Sequence, residues 1–106
     1  MQYGLKKENI EKIKQVLASI IEIDEAILYG SRAKGNFKLG SDIDLTLKGK
    51  DLSSKIVDKV SVSLDDIMLP YTFDVSIFTQ ITNQDLIEHI NRVGISFYKK
   101  QINKQL

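Results

Sequence analysis

The chain has 106 residues, a formal net charge of +1 at pH 7 and no cysteine. Its length suits a single domain, and its apolar fraction of 42% and charged fraction of 27% are ordinary for a folded globular protein. The lack of cysteine excludes a disulfide framework, a thiolate zinc site and a cysteine nucleophile, and the near-neutral charge argues against direct nucleic-acid binding through a broad basic surface.

Apolar runs in this sequence are short. None approaches the roughly 20 residues that a membrane-spanning helix needs. Residues 1–16 lack the uninterrupted apolar stretch of a secretory signal peptide. We therefore expect a cytoplasmic protein with no membrane segment.

Helical and strand patterns alternate along the chain. Apolar residues spaced three and four apart predict helices, whereas strict alternation or a short apolar run predicts strands. In chain order, the predicted elements are a helix at 9–21, a strand at 26–29, one or two helical turns at 30–35, a strand at 42–47, a helix from 53 or 54 to 68, a strand at 73–77, a helix from 82 or 83 to 93, and a strand at 95–98. This order predicts an α/β or α+β fold, with a small mixed β-sheet and helices packed on it, in one domain spanning 1–106.

The turn after the first predicted strand has the composition of a phosphate-binding loop. Gly30 lets the backbone bend sharply and lets a ligand come close, and the amides that follow at a helix start attract an anion. Ser31 is able to cap that helix, and its hydroxyl adds a donor. Arg32 and Lys34 could balance the charge of a triphosphate, although one could instead point away or pair with a structural acid. An ordinary strand-to-helix turn with a serine cap is the alternative interpretation.

Three aspartates are candidate metal ligands. Asp42 and Asp44 are two apart on one predicted strand, so both side chains project from the same face, with backbones roughly 7 Å apart. Asp74 lies in the middle of the third predicted strand and joins the cluster if that strand neighbours the second. Carboxylate oxygens suit Mg²⁺ or Mn²⁺, and a two-metal site with ions about 3.5–4 Å apart uses such a set. A solvent-facing edge strand is the alternative.

The two motifs are more specific together than apart. Gly30-Ser31, ten intervening residues and Asp42-x-Asp44 resemble the signature of the DNA polymerase beta-like nucleotidyltransferase superfamily. The resemblance implies a loop that binds a triphosphate, followed by a strand that binds metal.

A longer stretch of sequence resembles the minimal nucleotidyltransferase (MNT) branch of that superfamily. The strings at 30–35 and 41–45 are similar to those of the branch, with Lys34 where arginine is also common. The segment 69–76 and the final helix and strand are similar too. The resemblance covers nearly all of residues 9–99, and its motif region is 29–77.

The resemblance implies a nucleotidyltransferase fold and a reaction. A nucleoside monophosphate, usually AMP from ATP, moves to a hydroxyl and pyrophosphate is released. Gly30 and Ser31 would hold the triphosphate. Asp42 and Asp44 would bind the catalytic Mg²⁺ or Mn²⁺ ions, and Asp74 would ligate one metal and help activate the acceptor hydroxyl.

The resemblance also implies a partner. Small MNT proteins are often encoded beside a HEPN-domain ribonuclease toxin, and the MntA-like antitoxins among them adenylylate a tyrosine on that toxin. It therefore predicts ATP as substrate, a HEPN toxin as partner and a hetero-oligomer. A non-catalytic antitoxin that acts by complex formation is the alternative. A small-molecule nucleotidyltransferase ranks lower because those enzymes usually carry an added helical domain, and a polymerase lower still given the charge.

Other chemically capable side chains are assigned structural roles. His89 is the only histidine, so an imidazole metal cluster is excluded, and we expect a surface or half-buried helical position. Tyr29 is expected to pack in the sheet. Tyr71 and Tyr98 are expected in the core or at its rim, although either could touch a nucleobase or a partner.

Overall fold

A computed structural model describes residues 1–101 of the chain. The elements, in chain order, are α1 (Lys7–Ala18), β1 (Glu25–Tyr29), α2 (Ser31–Lys34), β2 (Ile43–Lys48), α3 (Ser54–Asp66), β3 (Phe73–Ile77), a 3₁₀ turn (Phe78–Gln80), α4 (Gln84–Val93) and β4 (Ile95–Lys99). The order of helices and strands is the predicted one, with the 3₁₀ turn added. The predicted domain of 1–106 includes residues 102–106, which lie outside the described residues, so that boundary stays a prediction.

The four strands form one mixed sheet with the order β3-β2-β1-β4. β1 pairs antiparallel with both β2 and β4, whereas β2 and β3 are parallel. A parallel pair needs a long crossover connection, and α3 provides it between β2 and β3. The predicted fold class, an α+β domain with a small mixed sheet, is confirmed.

One face of the sheet forms the hydrophobic core. The alternation in β2 directs Ile43, Leu45 and Leu47 to this face, where each side chain is fully buried. The apolar stripes of α1 and α3 cover it, because helices with apolar residues three and four apart can bury one side while keeping the other in water. The buried helical residues of this core are Ile10, Ile13, Leu17, Val60 and Leu64.

The opposite face of the sheet is only half covered. α4 packs there against β1, with Gly94 so close to Ile27 that a side chain at position 94 would collide with it. Beyond α4, the face over β2 and β3 carries polar residues, and Asp74 on β3 is exposed. The uncovered half is where the predicted acidic residues lie.

The first helix is shorter than predicted. It ends at Ala18, and the hydroxyl of the next residue, Ser19, donates to the carbonyl of Val16 at 2.6 Å. Such a bond competes with continuation of the helix. Ile20 is still buried, but Ile21 is 73% exposed, so the prediction that the helix and its apolar stripe reach Ile21 is wrong.

The caps of α2 and α4 involve different residue types. The N-cap of α2 is Gly30, and Ser31 is the first helical residue and makes no capping bond, so the predicted serine cap is wrong. Gly35 closes α2 in the left-handed conformation, which favours glycine. α4, which the sequence predicts to start at 82 or 83, is capped by Asn83, whose side-chain oxygen accepts from the amide of Leu86 at 3.1 Å.

Smaller boundary differences occur elsewhere. β2 begins at Ile43, so Asp42 lies immediately before the strand rather than within it. α3 ends at Asp66, ahead of Met68, which has a positive φ of 55° before the turn into β3. No helix within residues 1–101 combines the length and the apolarity that crossing a bilayer would take.

Candidate active site

A row of three polar side chains crosses the open half of the sheet. Tyr29 on β1 is paired with Asp44 on β2, and Asp44 is paired with Asp74 on β3. Directly paired residues project from the same face, with neighbouring strands about 4.8 Å apart. The condition set by the sequence, that the third predicted strand neighbours the second, is therefore met.

The negative charges in this row interact. Asp42 and Asp74 are exposed, whereas Asp44 is half-buried beside them. Burial, and then the charges of Asp74 and Asp42, raise the pKa of Asp44 from 3.8 to about 6. Burial also raises the pKa of Tyr29, with smaller contributions from Asp74 and Asp44. The row thus concentrates negative charge at a partly desolvated position, which a divalent cation would relieve.

The acidic cluster has the right donors for a metal but is not closed around one. Within residues 1–101, no three His, Cys, Asp or Glu side chains are arranged as ligands of a single ion. The donor type fits Mg²⁺ or Mn²⁺, because all three side chains offer hard carboxylate oxygens. Asp42 and Asp74 are exposed, so their side chains have room to turn towards Asp44. These residues would hold the ions, and their roles as ligands stay predictions.

The predicted phosphate loop touches the acidic row. Gly30 has φ 76° and ψ −156°, a region essentially restricted to glycine. A Cβ atom at this position would overlap the Oδ2 atom of Asp44. The glycine therefore serves two purposes: it makes the bend, and it lets the backbone lie directly against the carboxylate. The structure brings Gly30 against Asp44, and Ser31 follows as the first residue of α2.

One contact of the candidate site could not be foreseen from the sequence. The amide of Gly30 donates to Nε2 of His89 at 3.0 Å, and the imidazole lies edge-on to the ring of Tyr29 at 6.2 Å. His89 is half-buried on α4, as expected, but it contacts the phosphate loop. Residues 30 and 89 are 59 positions apart, so no local pattern could have indicated this bond.

Arg32 is directed into the protein. Its side chain is 3% exposed. Nε and Nη2 donate to the carbonyl of Ser41 at 3.1 and 2.8 Å, and Nη1 donates to the carbonyl of Tyr3 at 2.8 Å. The guanidinium also lies over the rings of Phe37 and Tyr71. Arg32 thus holds Ser41, the residue before Asp42. This is the alternative that the sequence left open, in which the side chain of one cation does not face the triphosphate.

Lys34 differs from Arg32. It is exposed, and it is close enough to His89 to contribute, after burial, to lowering the pKa of that imidazole. Of the two cations predicted to meet a triphosphate, Lys34 is thus the exposed one and Arg32 the buried one. Tyr29 packs in the sheet and Tyr71 and Tyr98 are partly buried against the core, as predicted.

The carboxylates lie on an open surface. A cavity of about 650 Å³ is present at the other end of the sheet, where Glu25 and Lys48 are paired, so it is remote from Asp44. Its walls carry both lysines and acids in similar number, which gives it no preference for an anion or a cation. The row of Tyr29, Asp44 and Asp74, not this cavity, is therefore the candidate site.

A mixed sheet that holds a glycine-serine bend against paired carboxylates is the arrangement of a nucleotidyltransferase domain. Residues 11–103 match the family model described as Polymerase beta, Nucleotidyltransferase. The chain belongs to this nucleotidyltransferase family. The predicted fold and enzyme class are therefore confirmed.

Two relatives narrow the resemblance to the MNT type. A protein of Methanocaldococcus jannaschii named as a protein adenylyltransferase is 29% identical over 87 residues, covering 73% of this chain and 88% of the relative. The protein adenylyltransferase MntA of Haemophilus influenzae is 26% identical over 101 residues, covering 94% of this chain and 88% of MntA. The predicted MNT-type membership is confirmed.

Solved structures share the fold. A toxin–antitoxin crystal structure with AMP-PNP superposes with a TM-score of 0.70 at 21% identity, covering 88% of this chain and 75% of that chain. The MntA-HepT toxin–antitoxin structure gives a TM-score of 0.66 at 18% identity, covering 90% of this chain and 74% of that chain. Both show that the chain has the same fold.

Proposed function

We propose that this chain is an antitoxin that transfers AMP from ATP to a tyrosine hydroxyl of a HEPN-domain partner toxin. The observation that carries the proposal is the contact between Gly30 and Asp44, in the same row as Asp74. It unites a loop suited to phosphate and a cluster suited to divalent cations in one site. The family, the relatives named as protein adenylyltransferases and the toxin–antitoxin structures of the same fold support it.

In this proposal the loop binds the triphosphate. Ser31 offers its hydroxyl and its amide at the start of α2, and exposed Lys34 offers a positive charge. Arg32 acts indirectly, because its donors bind the Ser41 and Tyr3 carbonyls and so hold the segment that leads into Asp42. We therefore revise the predicted contact of Arg32 with nucleotide to a positioning role.

The acidic residues serve the transfer itself. Asp42, Asp44 and Asp74 would hold Mg²⁺ or Mn²⁺, which supplies charge neutralisation at the triphosphate and at the leaving pyrophosphate. Asp74, exposed on the open face, accepts the proton of the incoming hydroxyl as its oxygen bonds to the α-phosphorus. The bond from that phosphorus to pyrophosphate then breaks. AMP remains on the acceptor.

The acceptor comes from a second protein. The site is an open sheet face bordered by exposed Asp42, Asp74 and Lys34, so a large partner can present a side chain to it. An acceptor held this way makes the active assembly a hetero-oligomer. The cytoplasmic location expected from the sequence stays a prediction.

The test uses the chain co-expressed with the HEPN protein encoded next to it. With Mg²⁺ and ATP, intact-mass spectrometry should show whole AMP units added to the partner, and peptide mapping should locate them on tyrosine. The Asp42→Asn, Asp44→Asn double variant should add none. Asp58→Asn, an exposed aspartate on α3, is the matched control and should retain transfer.

The same variants separate catalysis from simple binding. If the double variant still forms the complex but no longer neutralises the toxin, AMP transfer is the mechanism. Full neutralisation by the double variant, with no AMP on the partner, would instead establish the non-catalytic antitoxin.

A further inference from the structure

We propose that His89 is a positioning residue of the nucleotide site: its imidazole anchors the Gly30 amide and thereby sets the orientation of Ser31. The inference deepens the proposed function and rests on it for the identity of the bound nucleotide. It assigns α4, which carries none of the predicted site residues, a part in nucleotide binding.

The bond acts at the most adaptable residue of the loop. Glycine has many accessible backbone conformations, so the bend at Gly30 is not maintained by its own preferences. Two bonds hold it instead. The carbonyl of Gly30 accepts from the amide of Lys34 at 3.0 Å within α2, and its amide donates to His89 at 3.0 Å. Loss of His89 would free one of the two peptide groups that define the bend.

The bond also determines which hydrogen-bond donors of the loop are available to a phosphate. Because the Gly30 amide is bound to the imidazole, it is not directed at a phosphate. Phosphate contacts are left to the hydroxyl and amide of Ser31 and to the residues that follow it. His89 thus selects which part of the loop faces the nucleotide.

The acceptor nitrogen defines the state of the ring. Nε2 accepts a hydrogen bond, so it carries no proton, and the neutral imidazole has its hydrogen on Nδ1. Burial lowers the pKa of His89, and the nearby charges of Lys34 and Arg92 lower it further. Both effects favour the neutral acceptor form at physiological pH.

The helix that carries His89 is well supported. Asn83 caps its first turn, Ile90 is 2% exposed, and Gly94 packs closely on Ile27 of β1. The ring of Tyr29 meets the imidazole edge-on. An imidazole that is carried by a supported helix and packed against Tyr29 is able to fix a flexible loop rather than follow it.

Three variants test the role through binding of AMP-PNP in the presence of Mg²⁺, measured by calorimetry. His89→Leu keeps bulk but removes the acceptor, and should weaken binding about tenfold, as expected for loss of one hydrogen bond. His89→Gln retains an acceptor oxygen and should recover most of that loss. Glu88→Gln, an exposed neighbour on α4, is the control and should bind as the parent does.

NMR provides a measurement that general loss of folding would not imitate. In the parent chain, ¹⁵N shifts of His89 should show a neutral ring protonated on Nδ1, and the Gly30 amide should move in His89→Leu but not in Glu88→Gln. A parent ring protonated on Nε2, or unweakened AMP-PNP binding by His89→Leu, would overturn the inference. If these binding results are as expected but no AMP is transferred to the partner, the proposed function is refuted and the positioning role of His89 is not.

Discussion

Gly30 lies against the carboxylate of Asp44 so closely that no side chain fits between them. Gly30 follows the last residue of β1 and bends the chain, and Asp44 lies near the start of the paired strand β2. The contact joins the predicted phosphate loop to the acidic row without an intervening layer of side chains. Its consequences can be measured at both residues.

Replacement of Gly30 by alanine should destabilise the protein through strain and overlap together. Its backbone conformation costs a residue with a side chain about 1–3 kcal/mol, and its Cβ would also displace Asp44. Gly35→Ala is the matched control, because Gly35 also has positive φ, 89°, but an added Cβ meets no atom of the described chain within 4 Å. Urea unfolding should show a larger loss of stability for Gly30→Ala, and AMP-PNP binding should be lost only there. Equal losses in the two variants would contradict the close contact.

Asp44 should make stability depend on pH in the absence of metal. Its pKa of about 6 in the folded state exceeds the ordinary 3.8, so its contribution to stability is greatest below pH 4 and is lost as the pH rises through 6. Asp44→Asn should therefore stabilise the metal-free protein at pH 8 by about 1 kcal/mol, after allowance for solvent screening, and change little at pH 4. Thermal unfolding in EDTA measures both.

With metal bound, the parent protein should be more stable than Asp44→Asn. Saturating Mg²⁺ stabilises the parent by binding the folded state and should do so less in Asp44→Asn. Asp58→Asn serves as the control and should behave as the parent under each condition. A lower unfolding temperature for Asp44→Asn than for the parent in EDTA at pH 8 would refute the charge conflict at this site.

Arg32→Lys should be costly even though it preserves the charge. Lysine cannot reproduce the fork that reaches the Ser41 carbonyl through two nitrogens and the Tyr3 carbonyl through a third. We expect a loss of about 2 kcal/mol in the free energy of unfolding, compared with less than about 0.5 kcal/mol for Arg92→Lys at an exposed position. Denaturant titrations of the two variants check this. Similar stabilities would show that the buried contacts contribute little.

Asn83→Ala should weaken α4 at its first turn. The side-chain oxygen of Asn83 accepts from the amide of Leu86, and loss of such a cap costs about 1 kcal/mol. The same substitution at Asn91, exposed within α4, removes no cap and introduces a better helix former, so it should be neutral or slightly stabilising. Hydrogen exchange of the α4 amides should be faster in Asn83→Ala only. Equal exchange in both variants would argue against the cap.

The order of elements could be predicted from the sequence because it depends on neighbours close in the chain. The alternation in 42–47 separates Ile43, Leu45 and Leu47 from Asp44, and the observed β2 buries the apolar set. The ends of the elements were harder to predict, because a single local hydrogen bond can shift them. At the end of α1, for example, the hydroxyl of Ser19 donates to the carbonyl of Val16, and the helix stops before Ile21.

The residues of the candidate site could be predicted from the sequence, but their arrangement in space could not. Gly30, Ser31, Asp42 and Asp44 lie within one short stretch, so their spacing in sequence indicated a shared chemistry. The tertiary structure decided that β3 pairs with β2 and places Asp74 opposite Asp44. It also decided how His89 and Arg32 are used.

The sequence by itself determined the helices, the strands, the apolar faces and the family motif, since each follows from periodicity or short-range spacing. Only the tertiary structure placed His89 on the Gly30 amide and the Arg32 guanidinium on the Tyr3 carbonyl, contacts that span 59 and 29 positions. A periodic pattern describes which side of a helix or strand is buried. It carries no information on which distant backbone group a polar side chain reaches, because that depends on how the packed elements are oriented in space.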